Sequence, residues 1–401
     1  MKRRIVVITE YGLFGGGAEL ATRLIIDILK RYFDITLITG RREKEPKGVE
    51  CIYEPLLVRR KMLLWLNSEI LCTKTRLHKY IKEADIVYLP RYAFPIIPWV
   101  KQLGKKVIVH LHDYIPISYT SVILAPYEKH KHRIVQDDIF LECTKSFKHC
   151  LGANLLWWLP KLARKWILQA DKVICVSKRH AEIVLDQIPE LRDRVEIIYN
   201  PLLPKLVNNE PRKELEDVPM FLYVGGDSYV KGFHILVQAL KQLGKQGIKA
   251  KFIFTNRYNS KSCMLLKRLN KMYRNLEIEV VGRVEYNVLI KLHRKAWALV
   301  FPSILEETFG YVIVEASLLG TLPITSRVGS SVELLGDTIA AKYMFSPGMD
   351  TELVRVLINV TQLSINELKG MGLRLRSEVL NKLKPSRIEE RTVQVFNSIT
   401  E

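Results

Sequence analysis

Ile5-Val6-Val7-Ile8-Thr9, Glu19-Leu20-Ala21-Thr22-Arg23-Leu24-Ile25-Ile26-Asp27-Ile28-Leu29-Lys30-Arg31 and Ile35-Thr36-Leu37-Ile38-Thr39 follow one another at the start of the chain. The outer two runs are short, apolar and β-branched, and the middle one carries apolar residues at helical spacing, so the three read as strand, helix, strand. So short a βαβ unit closes only as a parallel pair, which predicts a parallel sheet covered by helices. Similar runs recur at Asp85–Leu89, Val107–Leu111, Lys172–Val176 and Glu196–Tyr199, enough for one doubly wound domain.

The alternation lapses between Asn200 and Pro219 into Asn-Pro, Leu-Pro and a charged stretch, then resumes. Phe221–Val224, Lys251–Phe254, Ile278–Val281, Ala298–Phe301 and Leu322–Thr325 read as strands, with helices near Phe233–Leu243, Tyr286–Lys295 and Gly310–Leu319. The expected organisation is an α/β N-terminal domain over 1–200, a linker over 201–219, a second α/β domain over 220–384 and a closing surface helix over 385–401. Two such domains are expected to face each other across a cleft bounded by the carboxyl ends of their strands, where doubly wound sheets bind ligands.

Composition narrows the class. The chain has 401 residues, 48% hydrophobic and 26% charged, as ordinary globular proteins do. Its net charge of +20 calls for an anionic partner: nucleic acid, acidic membrane or phosphorylated substrate. No apolar run reaches membrane-spanning length and the N-terminus enters a strand directly, so a cytoplasmic protein is expected. The six cysteines lie scattered without close pairs, which predicts reduced thiols. Cys143, His149 and Cys150, with His130 and His132 nearby, match no standard zinc spacing.

Residues with chemistry fall on the predicted strand-to-helix loops. Gly15-Gly16-Gly17 stands at the start of the first helix, where backbone N–H groups can approach an anion, although the spacing is not that of a dinucleotide site. His112-Asp113 ends the strand Val107–Leu111, and Lys231-Gly232 follows Gly225-Gly226 on the loop after Phe221–Val224. A satisfied structural histidine and a solvated lysine are the plainer readings of those two. Glu307 precedes a helix start and Glu315 lies within the helix, eight residues on. Glu315 sits among Val312, Ile313, Val314 and Ala316, so its charge needs a partner or a ligand.

Glu307 and Glu315 form an EX7E spacing inside Pro302-Ser303-Ile304-Leu305-Glu306-Glu307-Thr308-Phe309-Gly310-Tyr311-Val312-Ile313-Val314-Glu315-Ala316, and this string resembles family 4 glycosyltransferases. In the order of that family stand Gly16-Gly17-Ala18-Glu19, His112-Asp113, Ile198-Tyr199-Asn200-Pro201, Lys231-Gly232, Gly282-Arg283 and Gly329 through Glu333.

The resemblance implies a GT-B fold of two facing Rossmann-like domains and retaining transfer of a hexose-type sugar from a nucleotide diphosphate-sugar. The acceptor would be a glycan or a lipid-linked hydroxyl. It further implies Glu307 on donor-sugar hydroxyls, Glu315 on the ribose, Lys231 on the diphosphate and the Phe309 and Gly310 amides on the sugar-phosphate. His112 would lie near the reacting sugar, Arg283 and Val284 near the base, and Gly16 and Gly17 over the diphosphate. No Asp-x-Asp triplet occurs, so no metal and no cofactor are expected.

The chain departs from the pattern at Gly226, where the family usually has arginine, and at Thr255-Asn256-Arg257-Tyr258-Asn259, which replaces a glycine-rich turn. A sugar-nucleotide epimerase of similar fold is the alternative enzyme. Nucleic-acid binding has only the net charge in its favour, without a recognisable motif, and is not expected. Leu155 to Ile167 mixes Trp157, Trp158 and Trp166 with leucines and basic residues, which suits an anionic bilayer interface, helped by Arg59-Arg60-Lys61 and Lys129 through Arg133; a buried helix is the other reading.

Overall fold

The computed structural model describes residues 2–43, 46–58, 64–65 and 77–399. Arg59-Arg60-Lys61 and Cys72 lie outside them. The described chain divides into two compact units, one of Met1–Ile123, His130–Leu202 and Lys384–Glu401, the other of Leu124–Lys129 and Leu203–Leu383.

The first unit is a seven-stranded parallel sheet in the order β3-β2-β1-β4-β5-β6-β7. Its strands are β1 (Arg4–Thr9), β2 (Asp34–Thr39), β3 (Glu50–Tyr53), β4 (Ile86–Leu89), β5 (Lys106–Leu111), β6 (Lys172–Cys175) and β7 (Val195–Ile197). The helix Gly17–Leu29 buries Ala21, Leu24, Ile25, Ile28 and Leu29, the stripe its spacing predicts. The final helix Pro385–Ser398 buries Ile388, Val395 and Phe396, and Phe396 packs edge-on against Tyr88 of β4 at 5.2 Å.

The second unit is a six-stranded sheet in the order β10-β9-β8-β11-β12-β13, again parallel. It comprises β8 (Met220–Tyr223), β9 (Ala250–Thr255), β10 (Leu276–Gly282), β11 (Ala298–Phe301), β12 (Leu322–Ser326) and β13 (Met344–Phe345). The stretch before β8 holds a short helix, Pro204–Asn208, and then runs along this unit, Glu214 N–H donating to Arg294 O and the Lys213 ammonium reaching Ala296 O and Thr321 Oγ1. Arg376 ties the same stretch down by donating to the carbonyls of Leu206, Val207 and Leu318.

Two expectations are corrected. Cys143 and Cys150 form a disulfide, so not all thiols are reduced; it joins the end of the helix Ile134–Lys145 to the helix Phe147–Leu156. The stretch from Leu155 to Ile167 is not one interfacial segment. Leu159, Ala163 and Ile167 turn into the core of the first unit, with Leu162 and Trp166 packed against it, because the helix Leu159–Ile167 is amphipathic and has a sheet to cover.

Candidate active site

In the second unit three strand-to-helix loops are stitched together. After β8, residues 224–232 are tied to the loop after β11 by Ile304 N–H donating to Val230 O at 3.0 Å and by Ser303 Oγ on the same carbonyl. The loop after β9 joins them through Asn259 N–H on Asp227 Oδ2 at 2.7 Å. In consequence Lys231 lies against Glu307, its Nζ 2.6 Å from Oε1, with Ser303 Oγ donating to that oxygen at 2.9 Å. Lys231 is therefore not a solvated lysine: it is half-buried and paired with a buried carboxylate.

Glu306, which the sequence reading passed over, is as deeply buried as its neighbour. Its two oxygens accept from Tyr127 N–H at 2.6 Å and Gly329 N–H at 2.9 Å, so it positions the glycine that leads into the helix Ser330–Leu335 and holds the segment 124–129 on this unit. Residue type alone did not distinguish it from a surface carboxylate.

Phe309 is buried beside Tyr311, and Gly310 caps the helix Tyr311–Leu318. Glu315 accepts a hydrogen bond from the hydroxyl of Tyr286, the first residue of the helix Tyr286–Lys295. Burial pushes the Glu315 carboxyl up to about 7, the tyrosine bond acting against it. The partner its apolar surroundings demand is thus a phenol, not a cation. No sequence signal marks Tyr286, because the pairing joins two separate helices.

Gly226 has φ +63°, and a Cβ there would lie 2.8 Å from Arg257 O, so the loop excludes the arginine that the family pattern places at this position. Arg257 and Arg283 are both exposed, Arg283 on the loop that leaves β10, and Val284 beside it is half-buried. Asn256 takes a left-handed conformation at φ +83°, which explains how this turn forms without glycine.

The first unit gathers a different set at the ends of β1, β4, β5 and β6. His112 is half-buried, stacked on His110 with ring centroids 4.2 Å apart. Burial, then His110, Arg91 and His180, hold its pKa well below the ordinary value, so it is a neutral imidazole. His110 Nδ1 meets the Tyr88 hydroxyl at 2.7 Å. Glu10 is buried at the end of β1, accepts from Tyr92 N–H at 3.1 Å, and is pushed up to about 7 by burial. Arg91 instead pairs with Glu19, whose Oε2 accepts from Gly16 N–H at 2.8 Å, so the Gly16-Gly17 turn is braced from β4. None of Glu10, Arg91, His110 and His180 was singled out by the sequence. A cavity of about 440 Å³ opens among the loops after β1 and β2 and the strand β3, lined by Gly12, Thr39, Arg41, Arg42, Glu43 and Tyr53 among others.

Residues 14–203 match the family model "Glycosyltransferase Family 4" and residues 207–370 match "Glycosyl transferases group 1". The chain belongs to glycosyltransferase family 4. Among curated relatives, the glycosyltransferase is 25% identical over 240 residues to the phosphatidylinositol N-acetylglucosaminyltransferase gpi3 subunit of Schizosaccharomyces pombe, covering 60% of this chain and 51% of that one. It is 25% identical over 187 residues to the D-rhamnosyltransferase WbpZ of Pseudomonas aeruginosa, covering 44% and 47%. The chain spans about half the length of the curated relatives it matches. Its fold is that of Anabaena HepE, solved with UDP-glucose (TM-score 0.69, 17% identity, 98% of this chain and 99% of that chain). It also matches sucrose-phosphate synthase of Thermosynechococcus elongatus (TM-score 0.70, 17% identity, 99% of each chain). The fold is therefore GT-B, with two Rossmann-like domains.

Proposed function

We propose that this glycosyltransferase moves a hexose-type sugar, with retention, from a nucleotide diphosphate-sugar to a hydroxyl of a glycan or lipid-linked acceptor. The observation that carries the reading is the Lys231–Glu307 pair, Glu307 standing on the loop that leads into the N-terminus of Tyr311–Leu318: a cation for a leaving diphosphate, a carboxylate for sugar hydroxyls, and helix-end amides a few residues on. Departure of the diphosphate builds negative charge on its terminal phosphate. Lys231 and the Phe309 and Gly310 amides would stabilise that charge more in the transition state than in the bound donor. The acceptor hydroxyl would attack from the face the diphosphate leaves, giving its proton to that phosphate. In this reading Glu315 holds the ribose, Arg283 and Val284 flank the base, Gly16 and Gly17 cover the diphosphate, and Gly226 leaves one phosphate contact to other groups. Neutral His112 contacts the reacting sugar as a hydrogen-bonding group, and no metal takes part.

Arg41 and Arg42, which both line the cavity beside β3, suit an acceptor that carries phosphate, such as a lipid-linked one, and the S. pombe relative is named for transfer to phosphatidylinositol. Such an acceptor would bring the enzyme to an anionic membrane surface. Among the described residues no helix is long and apolar enough to cross a membrane.

A panel of UDP-, GDP- and ADP-sugars in a thermal-shift assay tests the donor site. One donor class is expected to raise the melting temperature of the wild type by mass action but not that of Glu315→Ala, while Lys231→Ala, whose cation acts chiefly on the departing diphosphate, should keep most of the shift. An epimerase would instead convert the free nucleotide-sugar with no acceptor present, and product analysis without acceptor is expected to show no such conversion.

The raised pKa of Glu315 predicts a pH dependence. Only the ionised carboxylate offers all its lone pairs to ribose hydroxyls, so donor affinity should rise as pH climbs through about 7 and fall below it. Calorimetric titration between pH 5.5 and 8.5 should show this for the wild type, whereas Glu315→Gln should bind about tenfold more weakly at high pH and without the slope. A wild-type affinity flat across that window would remove Glu315 from the donor contacts.

A further inference from the structure

Among the described residues of the first unit, an exposed apolar stripe lies not on the amphipathic helix Leu159–Ile167 but on the helix before it. The helix Phe147–Leu156 is apolar, yet Ala153 is its only fully buried residue. Phe147, Leu151 and Leu155 recur at every fourth position, within an arc of about 80° on an ideal helix. They are 82%, 50% and 63% exposed, and Trp157 and Trp158, just past the helix end, are 39% and 38% exposed. A soluble surface rarely leaves such a stripe uncovered. The disulfide Cys143–Cys150 and the Ser146 cap hold the hairpin that presents it.

The surrounding charge says what covers it. Lys145, Lys148, Lys161 and Lys165 are exposed in the same stretch, and the carboxylates of the hairpin, Asp137, Asp138 and Glu142, are buried, Glu142 bonded to Lys145. Lys161 lies over the Trp157 ring at 4.7 Å, an indole and ammonium together at the edge of the apolar face. Aliphatic and phenyl groups in the middle, indoles at the margin and lysines around them match the layering of an anionic bilayer from acyl chains to headgroups.

We propose that the hairpin of helices Ile134–Lys145 and Phe147–Leu156 is a bilayer-docking surface that inserts Phe147, Leu151 and Leu155 among the acyl chains of an anionic membrane. The proposal rests on the membrane-surface reading above and shifts the contact from Leu155–Ile167 toward the helix Phe147–Leu156. Flotation of the full chain with vesicles of phosphatidylcholine containing phosphatidylglycerol tests it. The wild type should float with these vesicles at low salt and less with phosphatidylcholine alone. The variant Phe147→Ser/Leu151→Ser/Leu155→Ser should lose at least about tenfold in partitioning at every salt concentration. The variant Lys148→Glu/Lys165→Glu should lose binding mainly at low salt, where charge attraction is least screened. All these side chains are exposed, so both variants should keep the wild-type melting temperature and donor-induced shift, and that control separates a failure here from a failure of the transferase reading. A wild type that stays soluble, a triple variant that floats undiminished, or a triple variant whose only change in light scattering is from dimer to monomer overturns the proposal, the last in favour of a second copy of the chain.

Discussion

Replacing Lys231 by alanine is expected to lower kcat about 10²- to 10³-fold while the protein stays folded. The side chain is half-buried, and its ammonium meets Glu307 Oε1 at 2.6 Å, where Ser303 Oγ also donates. Without the lysine, Glu307 keeps the serine hydroxyl, so the carboxylate is not stranded and the loss of stability should be modest. The loss in rate should be larger, because the cation is proposed to act on charge that develops only as the diphosphate departs, and removing one such group costs about 3 kcal/mol of transition-state stabilisation. Initial rates of donor hydrolysis or transfer should show the fall mainly in kcat, with Lys231→Arg recovering part of it and EDTA changing neither protein. Unchanged kcat in Lys231→Ala would remove the lysine from the reaction, and a fall abolished by added metal would assign the charge to an ion.

Gly232→Ala should unfold about 6 to 12 °C below the wild type, for a cost near 3 kcal/mol in a unit of this size. The residue sits at φ +75°, where any side chain is strained, and its Cβ would lie 1.8 Å from the backbone oxygen of Pro302. That contact joins the loop carrying Lys231 to the strand end carrying Ser303 and Glu307, so relief requires these two loops to part. Gly247→Ala is the control. It has nearly the same φ, +72°, but nothing within 4 Å of the added carbon, so it bears only the conformational cost of about 1–2 kcal/mol. Differential scanning calorimetry of both variants separates strain from clash, and equal melting temperatures would mean that the close approach at Pro302 is not a constraint.

Both predictions concern loops whose strands the amino-acid order already announced. β11 was legible residue for residue, and the strands on either side of it within a residue or two, because buried parallel strands are continuous apolar runs separated by helical periodicity. β3 escaped notice: Glu50-Cys51-Ile52-Tyr53 lies at the sheet edge, half covered, and shows neither a continuous apolar run nor clean alternation. β13 is two residues long and exists only because Ser326 and Thr325 of β12 supply its register.

By itself the sequence determined the two parallel sheets, the family and the position in the chain of Lys231, Glu307 and Glu315, since each of these depends on periodicity or on spacing along one loop or helix. Tertiary structure decided which groups those residues meet. That Lys231 reaches Glu307, that Glu315 is answered by Tyr286, that Glu306 braces Gly329, and that Cys143 meets Cys150 all depend on how separate elements pack. It decided likewise that Leu159–Ile167 faces the core while Phe147–Leu156 faces outward. Both helices are rich in apolar residues, and burial is set by whether a sheet lies within reach of the face, a quantity no local pattern contains.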